Sequence, residues 1–390
     1  MAEQGNSLDA VDGSPTGYFN DSNLVVIPGQ SYIYSTLATD LKNTDEGYLN
    51  VFGAYAMVDA KVNERLSGNL GVRLEMAEME IQTGVDTTDL TPLQLQTTQG
   101  SLSEDDFMPS LNMTYLLGDI DPIKITNLRF AYSRTLARPV FREKAPFRSF
   151  DFETLQVLKG NPQLDQTRID NFDLRLEHFP NLGEVLSASV FFKRFTDPIE
   201  QNTVLEAVNT ELTWSNLPYA NVWGLELEGR KNFSNLTETP FLKDLTLSGN
   251  ISVIRSASRI WRNELETIRA QNPLQAETRP LFGQAPYILN GVLTYANDST
   301  GLSATVAYNV QGPKVLLVTL GSLPNVMQQP TPTLDFSMSK LLGDHVRIGF
   351  KARNLLNPRD RKTHLYNGVY YDWNSFTRGR TYSLSLSYRI

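Results

Sequence analysis

The chain has 390 residues, with 35 Lys plus Arg against 43 Asp plus Glu, a formal net charge of −8, three histidines and no cysteine. These counts exclude a disulfide scaffold and a thiolate metal site, and an acidic balance without a basic cluster argues against a nucleic-acid partner. The apolar run Val315 to Leu320 is the best available and falls far short of the roughly 20 residues a spanning helix needs, so a helical membrane protein is excluded as well. At 41% hydrophobic and a mean hydropathy of −0.29, the composition suits either a soluble protein or a barrel whose strands are apolar on one face only.

Residues 1–47 are rich in Asp, Asn, Ser and Gly and are expected to be loop-like, the remnant of an extracellular loop. The opening MAEQGNSLDA has neither the basic start nor the apolar stretch of a secretory signal. From Tyr48 a period of two begins, and residues 48–390 are expected to form the wall. Val51, Gly53, Tyr55 and Met57 mark a first strand; Leu66, Gly68, Leu70, Val72 and Leu74 mark a second, with Asn69, Arg73 and Glu75 opposite. Strands near 108–117 and 123–134 follow, joined by the short turn GDIDP. Phe172, Leu174 and Leu176 alternate with Asp173, Arg175 and Glu177, and Leu186, Ala188, Val190 and Phe192 resume after FPNLGE. The pattern returns at Leu225 and Leu227, at Leu245 to Val253, at Leu289 to Tyr295, at Leu302 to Val310, at Leu334 to Met338 and at Val346 to Phe350. It ends at Tyr382, Leu384, Leu386, Tyr388 and Ile390, which alternate with Thr381, Ser383, Ser385, Ser387 and Arg389.

About thirteen strands result. Short turns at Asn63, GDIDP, FPNLGE, NDSTG and Gly343 alternate with long, irregular connections over 84–103, 137–168, 196–218, 259–284, 314–330 and 356–378. Six long loops are unusual in a soluble domain. They are what an antiparallel up-and-down transmembrane β-barrel presents outside, with short turns on the periplasmic side. Single charges on the polar face of strand after strand fit a water-filled lumen, which a packed sandwich core could not accept. The rival reading makes these faces the solvated exterior of a soluble β-protein.

Residues 132–201 carry SRTLARP, GNPQL and FFKRFTDPIEQ; GLELEGRKNF at 224–233, FKARNLLNP at 350–358 and the closing GRTYSLSLSY follow in order. This succession resembles the TonB-dependent receptors of Gram-negative outer membranes, of Bacteroidetes type. The resemblance implies active uptake of a scarce ligand, a siderophore, vitamin, peptide or glycan, with no enzymatic activity. It implies a full barrel of roughly 22 strands around a plug, of which this chain supplies the later strands and lacks the plug and the TonB box. It also implies outer-membrane lipid and lipopolysaccharide as surroundings, and contact with the TonB complex only through the missing plug. A passive porin and a soluble or surface β-adhesion module are the alternatives.

Candidate ligand contacts fall in the long loops. His364 stands with Tyr366, Tyr370, Tyr371 and Trp373 in one of them; Trp214 and Trp261 stand in two others, the latter heading a short amphipathic helix with Ile260, Leu265 and Ile268. Arg138 and Arg142, with Arg134 and Arg148, form a group suited to an anionic ligand or lipopolysaccharide phosphates, or to internal pairing with Glu143, Asp151 and Glu153. GNPQL is expected to be a tight turn holding its loop to the rim, because Pro162 drives Asn161 extended. No histidine sits among the lumenal serines, no paired histidines have metal spacing and no phosphate loop follows a strand, so neither a catalytic site, a metal nor a cofactor is expected.

Overall fold

The computed structural model describes residues 45–388 apart from 84–98, 119–123, 147, 152–155, 206–209, 271–272, 321–323 and 367. The expected loop remnant therefore lies almost wholly outside the described residues. The strands begin with β1 (Asp45–Lys61), β2 (Leu66–Thr83), β3 (Gln99–Leu117), β4 (Ile125–Ala137), β5 (Arg148–Asp151), β6 (Gln156–Lys159), β7 (Thr167–Phe179) and β8 (Val185–Thr196). They continue with β9 (Ile199–Leu205), β10 (Thr210–Asn216), β11 (Tyr219–Asn232), β12 (Leu245–Arg259), β13 (Thr278–Arg279), β14 (Tyr287–Asn297) and β15 (Leu302–Gln311). The last are β16 (Lys314–Thr319), β17 (Val326–Gln328), β18 (Thr333–Leu342), β19 (Val346–Arg353), β20 (Arg359–Tyr366), β21 (Val369–Thr377) and β22 (Thr381–Tyr388).

One sheet runs β1-β2-β3-β4-β7-β8-β11-β12-β14-β15-β18-β19-β22, with β13 added beside β12, and β1 and β22 stand at its two ends. Each neighbour on this path is antiparallel and next in the chain once the loop strands are set aside, which is the expected up-and-down order. The path holds the thirteen strands the alternation predicts.

Register sorts the side chains. Leu174 lies opposite Phe130 and Val190, and Leu176 opposite Leu128 and Ala188, so the apolar positions of neighbouring strands share a face. That face is open: Leu174 is 43% exposed, Leu186 53% and Val190 50%. The intervening polar positions are covered, with Glu177 9% exposed, Ser189 8% and Asn171 8%. A soluble protein buries the first set and solvates the second. Here the sheet curls over its charged face and turns its leucines outward, the arrangement of a wall between hydrocarbon and water. The covered charges are paired: Glu177 accepts from Arg129 at 2.7 Å and Arg175 at 2.8 Å, and Arg175 reaches Glu228 at 2.7 Å.

Two features differ from the sequence reading. In β1, Gly53 and Tyr55 pair with Glu75 and Arg73, so the set Val51, Gly53, Tyr55 and Met57 faces inward, and Phe52, Ala54 and Val58 face out. A Cβ on Gly53 would stand 2.5 Å from the Arg73 guanidinium, so a larger residue there would push the end of that side chain aside. This strand is apolar on both faces, and periodicity alone cannot choose between them.

The long connections, expected to be irregular, instead build a second sheet in the order β21-β20-β17-β16-β9-β10-β6-β5. Its pairs join loops far apart in the chain: β16 lies parallel to β9, and β10 parallel to β6. Leu212, Leu317 and Val326, with Leu158 against them, form its apolar centre. At the other end of the rim, Met79, Ile81 and Leu102 of β2 and β3 pack with Ala145 of the segment that crosses them. The expected rim helix is present at Arg262–Arg269, with Leu265 buried on its inner side.

Candidate ligand-binding mouth

Where the second sheet meets the inward face of β15, β18, β19 and β22, it leaves a cavity of 570 Å³. Four wall strands and three rim strands contribute side chains to it, and its charges are Lys314, Arg353, Arg378, Asp335 and Asp360. Asp360 is fixed from two sides, accepting from Gln328 Nε2 at 2.7 Å and from Arg378 Nη2 at 2.9 Å. Asp335 accepts the backbone N–H of Asn354 at 2.8 Å. Lys314 and Arg353 have no ion-pair partner among the described residues. Three cations against two anchored carboxylates leave the cavity positive.

The backbone below is held in a fixed shape. Asn354 and Asn357 take φ of 56° and 45°, left-handed conformations that asparagine tolerates. The Asn354 amide donates to Gly379 O at 2.6 Å, and Gly379 N donates to Asn357 Oδ1 at 3.0 Å. The NLLNP segment thus ties the end of β19 to the start of β22, and so positions Arg353 and Arg378 around one space.

The expected contacts lie in three other places. His364, Tyr366, Tyr370, Tyr371 and Trp373 share the β20–β21 hairpin, with His364 paired to Tyr371 and the His364 and Trp373 ring centroids 5.2 Å apart in an edge-to-face arrangement. His364 Nδ1 is 2.7 Å from Pro324 O, while Tyr366, Tyr370 and Tyr371 are exposed. Trp214 sits in β10, where its carbonyl accepts from Asn161 at 2.9 Å; Trp261 Nε1 donates to Asn216 O at 2.8 Å. A larger groove of 810 Å³ runs past Trp261 and Glu264 to Leu320. None of its lining residues lies on a wall strand, and Glu264 is already held by Arg279, so the mouth cavity is the better candidate.

The arginine group does not stay together. Arg134 pairs with Asp170 at 2.9 Å, Arg138 reaches Glu75 at 2.7 Å, and Arg142 donates to Ser149 Oγ. GNPQL forms the expected turn: Asn161 N donates to Glu143 O at 2.6 Å and Gln163 N to Asn161 Oδ1 at 2.9 Å. Beside it Lys144 gives its ammonium to Pro162 O at 2.7 Å and to Leu164 O, and burial pushes its pKa down. Across the rim, Arg279 binds both Glu200 and Glu264; burial pushes the Glu200 carboxyl up, against the opposing pull of Arg279.

The family description "TonB dependent receptor-like, beta-barrel" matches residues 4–355. The chain belongs to the TonB-dependent receptor family. Members of this family are outer-membrane transporters of Gram-negative bacteria and are not enzymes. The receptor wall is similar to that of the "Copper transporter OprC" at a TM-score of 0.61 and 13% identity, covering 88% of this chain and 48% of that one. It is similar to the ferric yersiniabactin uptake receptor FyuA from Yersinia pestis at 0.55 and 17%, covering 89% and 47%. It is also similar to the siderophore receptor PirA from Acinetobacter baumannii at 0.52 and 14%, covering 88% and 55%. The chain thus spans about half the length of these solved receptors. A comparison with curated proteins finds no match. Asp335, Arg353, Asp360 and Arg378 were not among the residues expected to meet ligand. The phase of Arg353 on β19 was readable, but Asp360 and Arg378 belong to a connection read as irregular.

Proposed function

We propose that the chain forms the later part of the wall of an outer-membrane TonB-dependent receptor and that it takes up a small anionic ligand through the mouth cavity. The observation that carries this is the positive excess of Lys314, Arg353 and Arg378 over two carboxylates that are already fixed. A carboxylate, catecholate or phosphate entering there meets charge-assisted donors in a space partly closed to water, where such bonds are strongest. An anionic ferric chelate is the first probe, because two of the similar receptors are named for siderophores. The aromatic hairpin carrying His364, Tyr366, Tyr370, Tyr371 and Trp373 makes first contact outside the cavity, and Arg138, Arg142, Trp214 and Trp261 hold the rim in shape. Uptake would then depend on the plug and the TonB complex.

The test is iron uptake by cells whose sole receptor is the full-length protein or its Arg353→Gln variant, with and without a proton uncoupler. Loss of uptake on uncoupling and a tenfold or greater fall in ligand affinity for the variant, about 1.4 kcal/mol, are expected. Uptake indifferent to the uncoupler would instead favour a passive porin.

A further inference from the structure

The outward face of the wall is uncharged over most of its height; apart from Glu78, Glu80 and Asp105 toward the upper ends of β2 and β3, one group of charges stands out on β4 to β12. On β4, β7, β8 and β11, Tyr132 lies opposite Phe172, Phe172 opposite Phe192, and Phe192 opposite Trp223. The rings of Tyr132 and Phe172 are 4.9 Å apart, and those of Phe172 and Phe192 6.3 Å. One step above this aromatic row, Arg134 pairs across to Asp170 and Asp170 to Arg194; beside Trp223 on β12 stands Arg255. Leu111 and Phe130 complete a groove of 560 Å³ that climbs from the aromatic floor to the arginines.

Three outward cations thus meet one carboxylate. Asp170 is saturated, accepting from Arg134 at 2.9 Å and 3.3 Å and from Tyr132 Oη at 2.9 Å. Arg194 and Arg255 are exposed and have no ion-pair partner among the described residues. Height decides what they face. The lower edge of the band on these strands is polar, with Thr126 Oγ1 2.9 Å from His178 Nδ1. Eight residues from Thr126 to Arg134 rise about 26 Å along the strand, or about 20 Å vertically at a barrel strand's usual tilt of roughly 40°. An apolar band is about 25 Å tall, so the arginines stand at the outer headgroup level, where an outward cation costs little.

Nor is this a belt repeated around the wall. At the corresponding upper edge of β14, β15, β18, β19 and β22 the outward residues are Tyr287, Tyr308, Leu334, Ala352 and Tyr382, none of them charged. We propose that the groove on β3, β4, β7 and β8, with Arg255 of β12 standing outside it beyond β11, is a docking site for a phosphate-bearing lipid of the outer leaflet. Its acyl chains lie over Phe130, Phe172 and Phe192, and its phosphate sits between Arg194 and Arg255. Two arginines near a membrane surface attract an anionic headgroup.

The inference rests on the wall spanning the bilayer, and one experiment separates the two. The full-length receptor is reconstituted in phosphatidylcholine nanodiscs doped with brominated phosphatidylglycerol or brominated phosphatidylcholine. Bromine quenching of tryptophan fluorescence is then read, with Trp223→Phe assigning the local signal. Brominated phosphatidylglycerol should quench Trp223 with at least about fivefold preference. That preference should resist millimolar inorganic phosphate, disappear in Arg194→Gln/Arg255→Gln and survive in the inward pair Arg347→Gln/Lys351→Gln. Folding of each variant is checked by heat-modifiable migration. Equal quenching by both lipids, preference retained by the outward double variant, or displacement by free phosphate overturns the site. Absence of quenching by either lipid overturns the membrane reading itself.

Discussion

Glu184, in the turn joining β7 to β8, has no exposed side-chain surface yet is well satisfied, accepting from Lys231 Nζ at 2.9 Å, Asn181 Nδ2 at 3.0 Å and the Asn232 amide at 3.3 Å. The Lys231 ammonium, more than any other group, holds its carboxyl below the ordinary carboxylate range. An acid with a depressed folded-state pKa contributes stability that is present above its unfolded value, about 4.3, and lost as the pH falls through the folded one. Glu184→Gln should therefore cost about 1–3 kcal/mol at neutral pH, with the gap to the parent protein closing below about pH 4. Urea unfolding in detergent across this range measures it, and a gap of constant size would rule out the ionised contact as its source. The same scale shows what a motif hides. Pro162 announces the GNPQL turn, but Gly160 is needed for a reason outside it: a Cβ there would stand 2.0 Å from the Ala145 carbonyl.

Wall strands and rim strands differ in how plainly the sequence marks them. A wall strand has hydrocarbon on one side and water on the other, so in most of them the side chains alternate over many residues, β1 with its two apolar faces being an exception. A rim strand such as β16 is buried on nearly every side, with Val315, Leu317 and Val318 all covered, and a run of that kind carries no period. Its partner β9 comes from another loop, 196–218, a pairing that no local pattern encodes. Leu317→Asp places a charge in the centre shared with Leu212 and Val326, at a cost of several kcal/mol to the rim sheet. Limited proteolysis should then cut within 314–330 while heat-modifiable migration of the wall is unchanged. A cleavage pattern identical to the parent's would mean that the rim sheet does not depend on this centre.

For the molecule as a whole, the decisive property is which face of the sheet is covered. Leu174 stands midway up the outward band, between His178 below and Asp170 above on β7. Leu174→Arg should lower stability in lipid vesicles by about 2–4 kcal/mol. The inward neighbour Asp173→Asn should stay within about 0.5 kcal/mol. Equal effects at the two positions, read from denaturant titrations in vesicles, would falsify the assignment of faces. The face pattern, which failed in β1 where both faces are apolar, was legible because it repeats in nearly every wall strand. The mouth cavity was not, because Asn309, Asp335, Arg353 and Asp360 converge only after four hairpins and a second sheet are in place.

Strand length carries a last consequence. β1, β2 and β3 have 17, 18 and 19 residues, whereas β19 and β22 have 8 each. At about 3.3 Å per residue, the first three extend some 56–63 Å and the last two only about 26 Å. One flank of the wall therefore rises on its own strands, whereas the other is continued upward by the β20–β21 hairpin, so that a molecule arriving from above meets that hairpin's tyrosines before it meets the basic cavity.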